Sequence, residues 1–148
     1  MTPEVMVRRA FEIAQDAHRG QLDKAGEPYI EHCRRVAEQV KSADEKAVAY
    51  LHDVVEKTRR WPIERLQAEG FPRPVLAAVQ ALTKASSESH ESFIRRALSN
   101  KLAAGVKVAD LRDNLVQALQ LGGDVTPIMR DLATATAKTA SQQAASTV

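Results

Sequence analysis

The chain is predicted to be all-α. Apolar residues recur at three- and four-residue spacing along most of its length. No stretch alternates apolar and polar residues as a half-buried strand would. Proline, glycine and serine stand at the joints between the periodic segments. Together these predict one compact bundle of about seven or eight short helices.

The first helix carries Val7, Ala10, Phe11, Ala14 and Ala17 as one stripe. It runs into "GQLDKAGEP", residues 20–28, a turn-rich loop with two glycines and a proline. Pro28 opens the second helix, "PYIEHCRRVAEQVK", in the favoured first-turn position. The segment Ser42 to Asp44 reads as a helix start, and "DEKAVAYLHDVVEKT" follows as one continuous third helix. A short helix, "RWPIERLQAEGF", ends at Gly70. "PRPVLAAVQALTK" places Val75, Ala78, Val79 and Leu82 on one face, and "SSESHESFIRRALSN" begins with capping serines. "NKLAAGVKVADLRDNLVQALQL" is the longest run, closed by Gly122 and Gly123. Residues 1–125 form the expected domain. Residues 126–148, rich in Ala, Thr, Ser and Gln, are expected to be a partly helical, weakly packed tail.

The 148 residues suffice for one real core. Net charge is only +2 and aromatic residues make up 4%, which argues against a nucleic-acid partner and against base-stacking platforms. No apolar run approaches the roughly 18 residues of a membrane span, and the N-terminus lacks the apolar segment of a signal peptide. A single cysteine, Cys33, excludes an internal disulfide and suits a reducing cytoplasm.

Four polar residues occupy positions where an all-α core favours apolar ones: His32, the adjacent His52 and Asp53, and Asp110. Two imidazoles and two carboxylates suit a divalent ion such as Mn²⁺, Fe²⁺, Zn²⁺ or Mg²⁺. Glu56 lies one turn beyond the His52–Asp53 pair, and Asn114 one turn beyond Asp110. Each residue also has an ordinary reading. A single helical histidine is commonly a satisfied core or surface residue, and Asp110 can pair with Lys107 across one turn. Spacing leaves both readings open.

Four stretches in this order, "AHRGQLDKAGEPYIEH", "LHDVVEKT", "ALTK" and "VKVADLRDNL", resemble the HD-domain metal-dependent phosphohydrolases. The nearer resemblance is to the hydrolase domain of the RelA/SpoT-homologue family, especially its small stand-alone members. It covers about residues 5–120. The resemblance implies an HD-domain helical bundle with His32, His52, Asp53 and Asp110 as ligands of a single ion, usually Mn²⁺. It implies that Glu56 orients or activates the attacking water, and that Lys24 and Asn114 border a nucleotide. The implied reaction is hydrolysis of the 3′-pyrophosphate of (p)ppGpp. No stretch matches the synthetase or regulatory domains of long family members, so a hydrolase alone is expected.

Two positions depart from the family pattern. Lys57 stands where a second acid follows Glu56, and Asp23 stands where a basic residue precedes Lys24. An ammonium cannot accept a proton, but it can pair with Glu56 or reach a substrate phosphate. Asp23 is expected to weaken a basic rim. Three functions follow: an alarmone hydrolase working with Glu56 alone, a phosphohydrolase of another nucleotide or phosphoester, or a catalytically weak nucleotide-binding protein. His18 is expected to close the first helix, His90 to be exposed, and Cys33 to act as a small packing residue.

Overall fold

Thr2 starts the first helix: its hydroxyl accepts the Val5 N–H at 3.2 Å, and Pro3 occupies the first turn, where no amide donor is needed. The computed structural model describes residues 1–146. Among them are nine helices: α1 (Pro3–Ala17), α2 (Tyr29–Glu38), α3 (Ala43–Leu51), α4 (Val54–Lys57), α5 (Ile63–Ala68), α6 (Arg73–Ala81), α7 (His90–Ser99), α8 (Lys101–Leu121) and α9 (Thr126–Ser146). The described residues hold no strand beyond one isolated antiparallel bridge, Leu22 to Pro28.

Helix α3 is the hub, packed by α1, α2, α6 and α8. Ala47, Val48, Ala49 and Leu51 are all buried, so nearly its whole circumference faces protein. Ile13, Val36, Val75, Val79 and Val106 close around it with no appreciable exposure, and α5, with the buried Leu66, packs on α6. Each such side chain contributes about 1.5–3 kcal/mol by leaving water. Gly105 lets α8 approach α3, since a Cβ there would meet a Glu45 carboxylate oxygen at 3.1 Å. The buried face of α1 is Met6, Ala10, Ile13, Ala14 and Ala17, with Val7 and Phe11 at its edges, a rotation from the expected stripe.

The expected continuous third helix is corrected to two. Ser42 caps α3 through a full capping box with Glu45, but the helix stops at Leu51. His52 and Asp53 form a turn before the four-residue α4. The His52 imidazole supplies a physical reason. Its Nδ1 meets the Ala49 carbonyl at 2.5 Å, so a side chain takes the acceptor that a continuing helix would use.

Gly122 ends α8 in the left-handed region, φ 69°, where a side chain would be strained. The tail expected over 126–148 contains α9, with Thr147 and Val148 outside the described residues. Alanine favours helix, and the lack of apolar bulk leaves Ala135 as the one buried residue among the described residues of α9, against Phe93, Ile94 and Leu98.

Candidate metal centre

His32 projects from α2, His52 and Asp53 from the turn after α3, and Asp110 from α8. One ligand atom from each comes within 4.8 Å of all the others. Asp110 Oδ1 lies 2.9 Å from His32 Nε2 and 3.3 Å from His52 Nε2. Asp53 Oδ2 lies 3.0 Å from His52 Nε2. The three secondary-structure origins meet because α3 carries the turn into the centre while α2 and α8 both pack on α3.

Neighbouring groups orient each ligand. Asp113, one turn beyond Asp110, receives His32 Nδ1 at 2.6 Å and Arg35 Nε at 2.8 Å. The Ala49 carbonyl holds His52. The Tyr29 hydroxyl donates to Asp53 Oδ2 at 2.5 Å. Lys107 donates to Asp110 Oδ2 at 3.2 Å, so the ordinary pairing and the cluster coexist. Such outer partners set ring tautomer and ligand basicity in metal sites. The donor set, convergence and supports fit a divalent ion.

The four groups set one another's protonation. Burial would raise the Asp110 pKa, but hydrogen bonds from His32 and His52, with the charges of His52 and Lys107, hold it well below the carboxylate range. Burial likewise opposes ionisation of Asp53, and the His52 charge and hydrogen bond overcome it. Burial would lower His52, yet Asp53 and Asp110 hold it well above its ordinary 6.5. His32 is raised too: burial lowers it, and the Asp110 hydrogen bond and charge outweigh that.

A cavity of about 390 Å³ opens beside His32 and Tyr29. Lys24, Lys57 and Asn114 line it, as do Gln117 and, from α9, Ile128. Lys57 Nζ sits 4.6 Å from the Tyr29 ring centroid, a cation–π seat. Glu56 is not part of this lining. It shares an adjoining recess with Lys57 and Arg59, and its Oε1 accepts the Lys84 N–H from the "ALTK" stretch. Arg96 secures that stretch through the Gln80 and Thr83 carbonyls, each at 2.8 Å, and through Glu88.

Asp23 lines the same cavity, with its carboxylate engaged by its own loop and by Gln117. Its Oδ1 accepts the Ala25 and Glu27 amides at 2.9 Å, and its Oδ2 accepts Gln117 at 2.8 Å. Its side chain is only 4% exposed. The short loop needs an internal acceptor, and Asp23 supplies it.

His18 is the C-cap of α1 and is buried. Its ring lies against Tyr29 at 4.9 Å, Nδ1 meets Gln21 Oε1 at 2.8 Å, and Nε2 has no hydrogen-bond partner. His90 is exposed and pairs with Asp131 at 3.0 Å, while Cys33 is buried.

Sequence reading missed Tyr29, Asp113, Arg35 and Gln21 in the site. Tyr29 and Asp113 had a readable signal, since each stands three residues from a ligand on the same helix face. Arg35 stands three residues beyond His32 and had the same signal, though its partner Asp113 lies 78 residues away; Gln21 had none, since its partner Lys57 is 36 residues away.

Residues 10–147 match the family model of the HD domain. The chain is 36% identical over 125 residues to a probable guanosine-3′,5′-bis(diphosphate) 3′-pyrophosphohydrolase from Synechocystis sp., covering 76% of the chain and 16% of that protein. It is 32% identical over 123 residues to a probable GTP pyrophosphokinase from Mycobacterium leprae, covering 74% of the chain and 15% of that protein. It is 29% identical over 124 residues to the bifunctional (p)ppGpp synthase/hydrolase SpoT of Escherichia coli, covering 74% of the chain and 17% of that protein. The chain thus spans about a sixth of the length of these curated relatives.

Proposed function

Because the chain belongs to the HD-domain family, we propose that it is a metal-dependent phosphohydrolase that removes the 3′-pyrophosphate of (p)ppGpp, releasing GDP or GTP and pyrophosphate. The observation that carries this is the His32–His52–Asp53–Asp110 cluster beside a cavity whose rim holds the ammonium groups of Lys24 and Lys57. The resident ion is proposed to be Mn²⁺. When bound, a divalent ion supplies Lewis-acid activation of water and neutralises charge on the phosphoryl group.

The chain's own residues do the rest. Asp113, the Ala49 carbonyl and Tyr29 keep the ligands oriented. Lys24 and Lys57 bind the anionic diphosphate, and Asn114 offers a donor and an acceptor to the nucleoside. Glu56 is assigned the attacking water. Its Oε1 is fixed by the Lys84 amide, and its second oxygen takes the proton. Water's oxygen joins phosphorus, the bond from phosphorus to the 3′-oxygen breaks, and the 3′-oxygen leaves as the hydroxyl after taking a proton from solvent, to which Glu56 later returns its own.

Lys57 adds a cation to the rim where an acid would subtract one, which supports an anionic substrate, while Asp23 and Asp124 line the same cavity beside Lys24. A nucleotide substrate and the free, buried Cys33 support a cytoplasmic location. Among the described residues, no helix is long and apolar enough to cross a membrane.

The test is chromatographic assay of ppGpp and pppGpp with the Mn²⁺-loaded protein. Pyrophosphate and GDP or GTP are expected, with turnover lost in Asp53→Ala and reduced roughly 10²- to 10⁴-fold in Glu56→Gln, the loss typical of a general base. Consumption of another nucleotide while both alarmones survive would move the assignment to that substrate. Metal binding without turnover of any nucleotide would reduce the protein to a binder.

A further inference from the structure

The end of α4 is held from outside. A four-residue helix leaves its last carbonyls without helical partners. Gln21, 36 residues away, donates Nε2 to the Lys57 carbonyl at 2.8 Å. The same nitrogen donates to the Ala17 carbonyl at 3.3 Å. This fixes the amide's orientation, so Oε1 must face His18 Nδ1 at 2.8 Å. An amide oxygen only accepts, so His18 Nδ1 carries the proton. The backbone of Gln21 closes the knot: its N–H donates to the His18 carbonyl, and its carbonyl accepts the Tyr29 N–H, both at 2.9 Å. One residue therefore ties the end of α1, the start of α2 and the end of α4. The His18 ring that orients it lies on Tyr29, and the same Tyr29 ring seats the Lys57 ammonium.

We propose that His18 and Gln21 are positioning residues for Lys57, forming a strut that fixes the end of α4 and so holds the Lys57 ammonium over Tyr29 at the mouth of the cavity. A lysine is a long, mobile side chain, and ordering it on binding is costly. Seating it beforehand spares that cost when an anionic phosphate group arrives. The benefit to substrate rests on the phosphohydrolase reading, whereas the seating itself does not.

Two experiments separate these parts. Ring currents from Tyr29 displace the Lys57 side-chain resonances upfield, with Tyr29→Leu giving the unshifted reference. In the metal-loaded full chain, Gln21→Met keeps the length of the side chain and removes its hydrogen bonds. Lys57 should then move to its reference position while Mn²⁺ stoichiometry and helix content stay unchanged. His18→Asn retains an N–H donor for Oε1 and should preserve the shift, whereas His18→Phe should lose it. If Gln21→Met does not fold, the two His18 variants make the same comparison. A Lys57 resonance that keeps its ring-shifted position in Gln21→Met or His18→Phe overturns the proposal.

The second experiment is a double-mutant cycle on ppGpp hydrolysis. Gln21→Met should raise KM roughly three- to tenfold, the range of one lost hydrogen bond, with kcat nearly constant. In a Lys57→Ala background the same change should add nothing. Additive effects would show that Gln21 does not act through Lys57. If the wild-type protein leaves ppGpp intact, the functional reading fails, and the resonance comparison still decides the strut.

Discussion

Replacing Asp113 by alanine takes away the acceptor that holds His32 Nδ1 at 2.6 Å and the partner of Arg35 at 2.8 Å. His32 is then free to rotate away from the geometry that points Nε2 at the cluster. Loss of such an outer partner typically weakens metal affinity about 10- to 100-fold, or roughly 1.4–2.7 kcal/mol. Stability falls for a different reason. The buried His32 N–H is left without an acceptor, at a cost of about 1–3 kcal/mol, which is roughly 3–10 °C in Tm for a chain of this size. Arg35 adds little, because its side chain is 38% exposed and can turn to water. Asp113→Asn is the control, since its amide oxygen still accepts from His32 and should keep affinity within about threefold of wild type. Competition titration of Mn²⁺ against a chelating dye measures affinity, and metal-free melting measures stability. If Asp113→Ala melts lower but binds Mn²⁺ as tightly as wild type, Asp113 supports the fold and not the metal.

Three further outcomes are expected. Tyr29→Phe removes the hydroxyl on Asp53 while keeping the ring beneath Lys57, so Mn²⁺ affinity should fall about tenfold; unchanged affinity removes the hydroxyl from the site. Metal affinity should rise with pH, by about tenfold per unit for each proton displaced, because His32 and His52 are held above 6.5 in the metal-free protein and must lose protons to bind. In that metal-free state the sign reverses: the raised histidines stabilise the fold fully below 6.5 and lose that contribution as pH rises through their folded values, whereas Asp53 and Asp110 lose theirs only as pH falls through their depressed ones. A melting temperature of the metal-free protein that climbs as pH rises past those histidine values would refute this. A chain ending at Val125 is proposed to fold and retain metal, since Ala135 is the one buried residue among the described residues of α9, but to bind nucleotide more weakly for want of Ile128; failure to melt cooperatively would show that α9 belongs to the folding unit.

The helical class was legible because a 3.6-residue period is written locally, in apolar spacing and in capping serines such as Ser42 and Ser89. The four ligand-type residues were also visible, since polar groups in apolar runs stand out wherever the chain places them. Their convergence was not visible, because it depends on α2 and α8 both packing against α3, with Asp110 lying 78 residues from His32. The break at His52–Asp53 escaped the pattern for a related reason. Apolar periodicity continues smoothly through Val54 and Val55, and what ends the helix is one imidazole bonded to the Ala49 carbonyl. How the rim charges are engaged was decided by folding. Sequence puts Asp23 beside Lys24; in the fold both line the cavity, with the Asp23 carboxylate turned onto two backbone amides and Gln117. Residue types set what chemistry is available, and hydrogen bonds between distant segments settle which atoms face it.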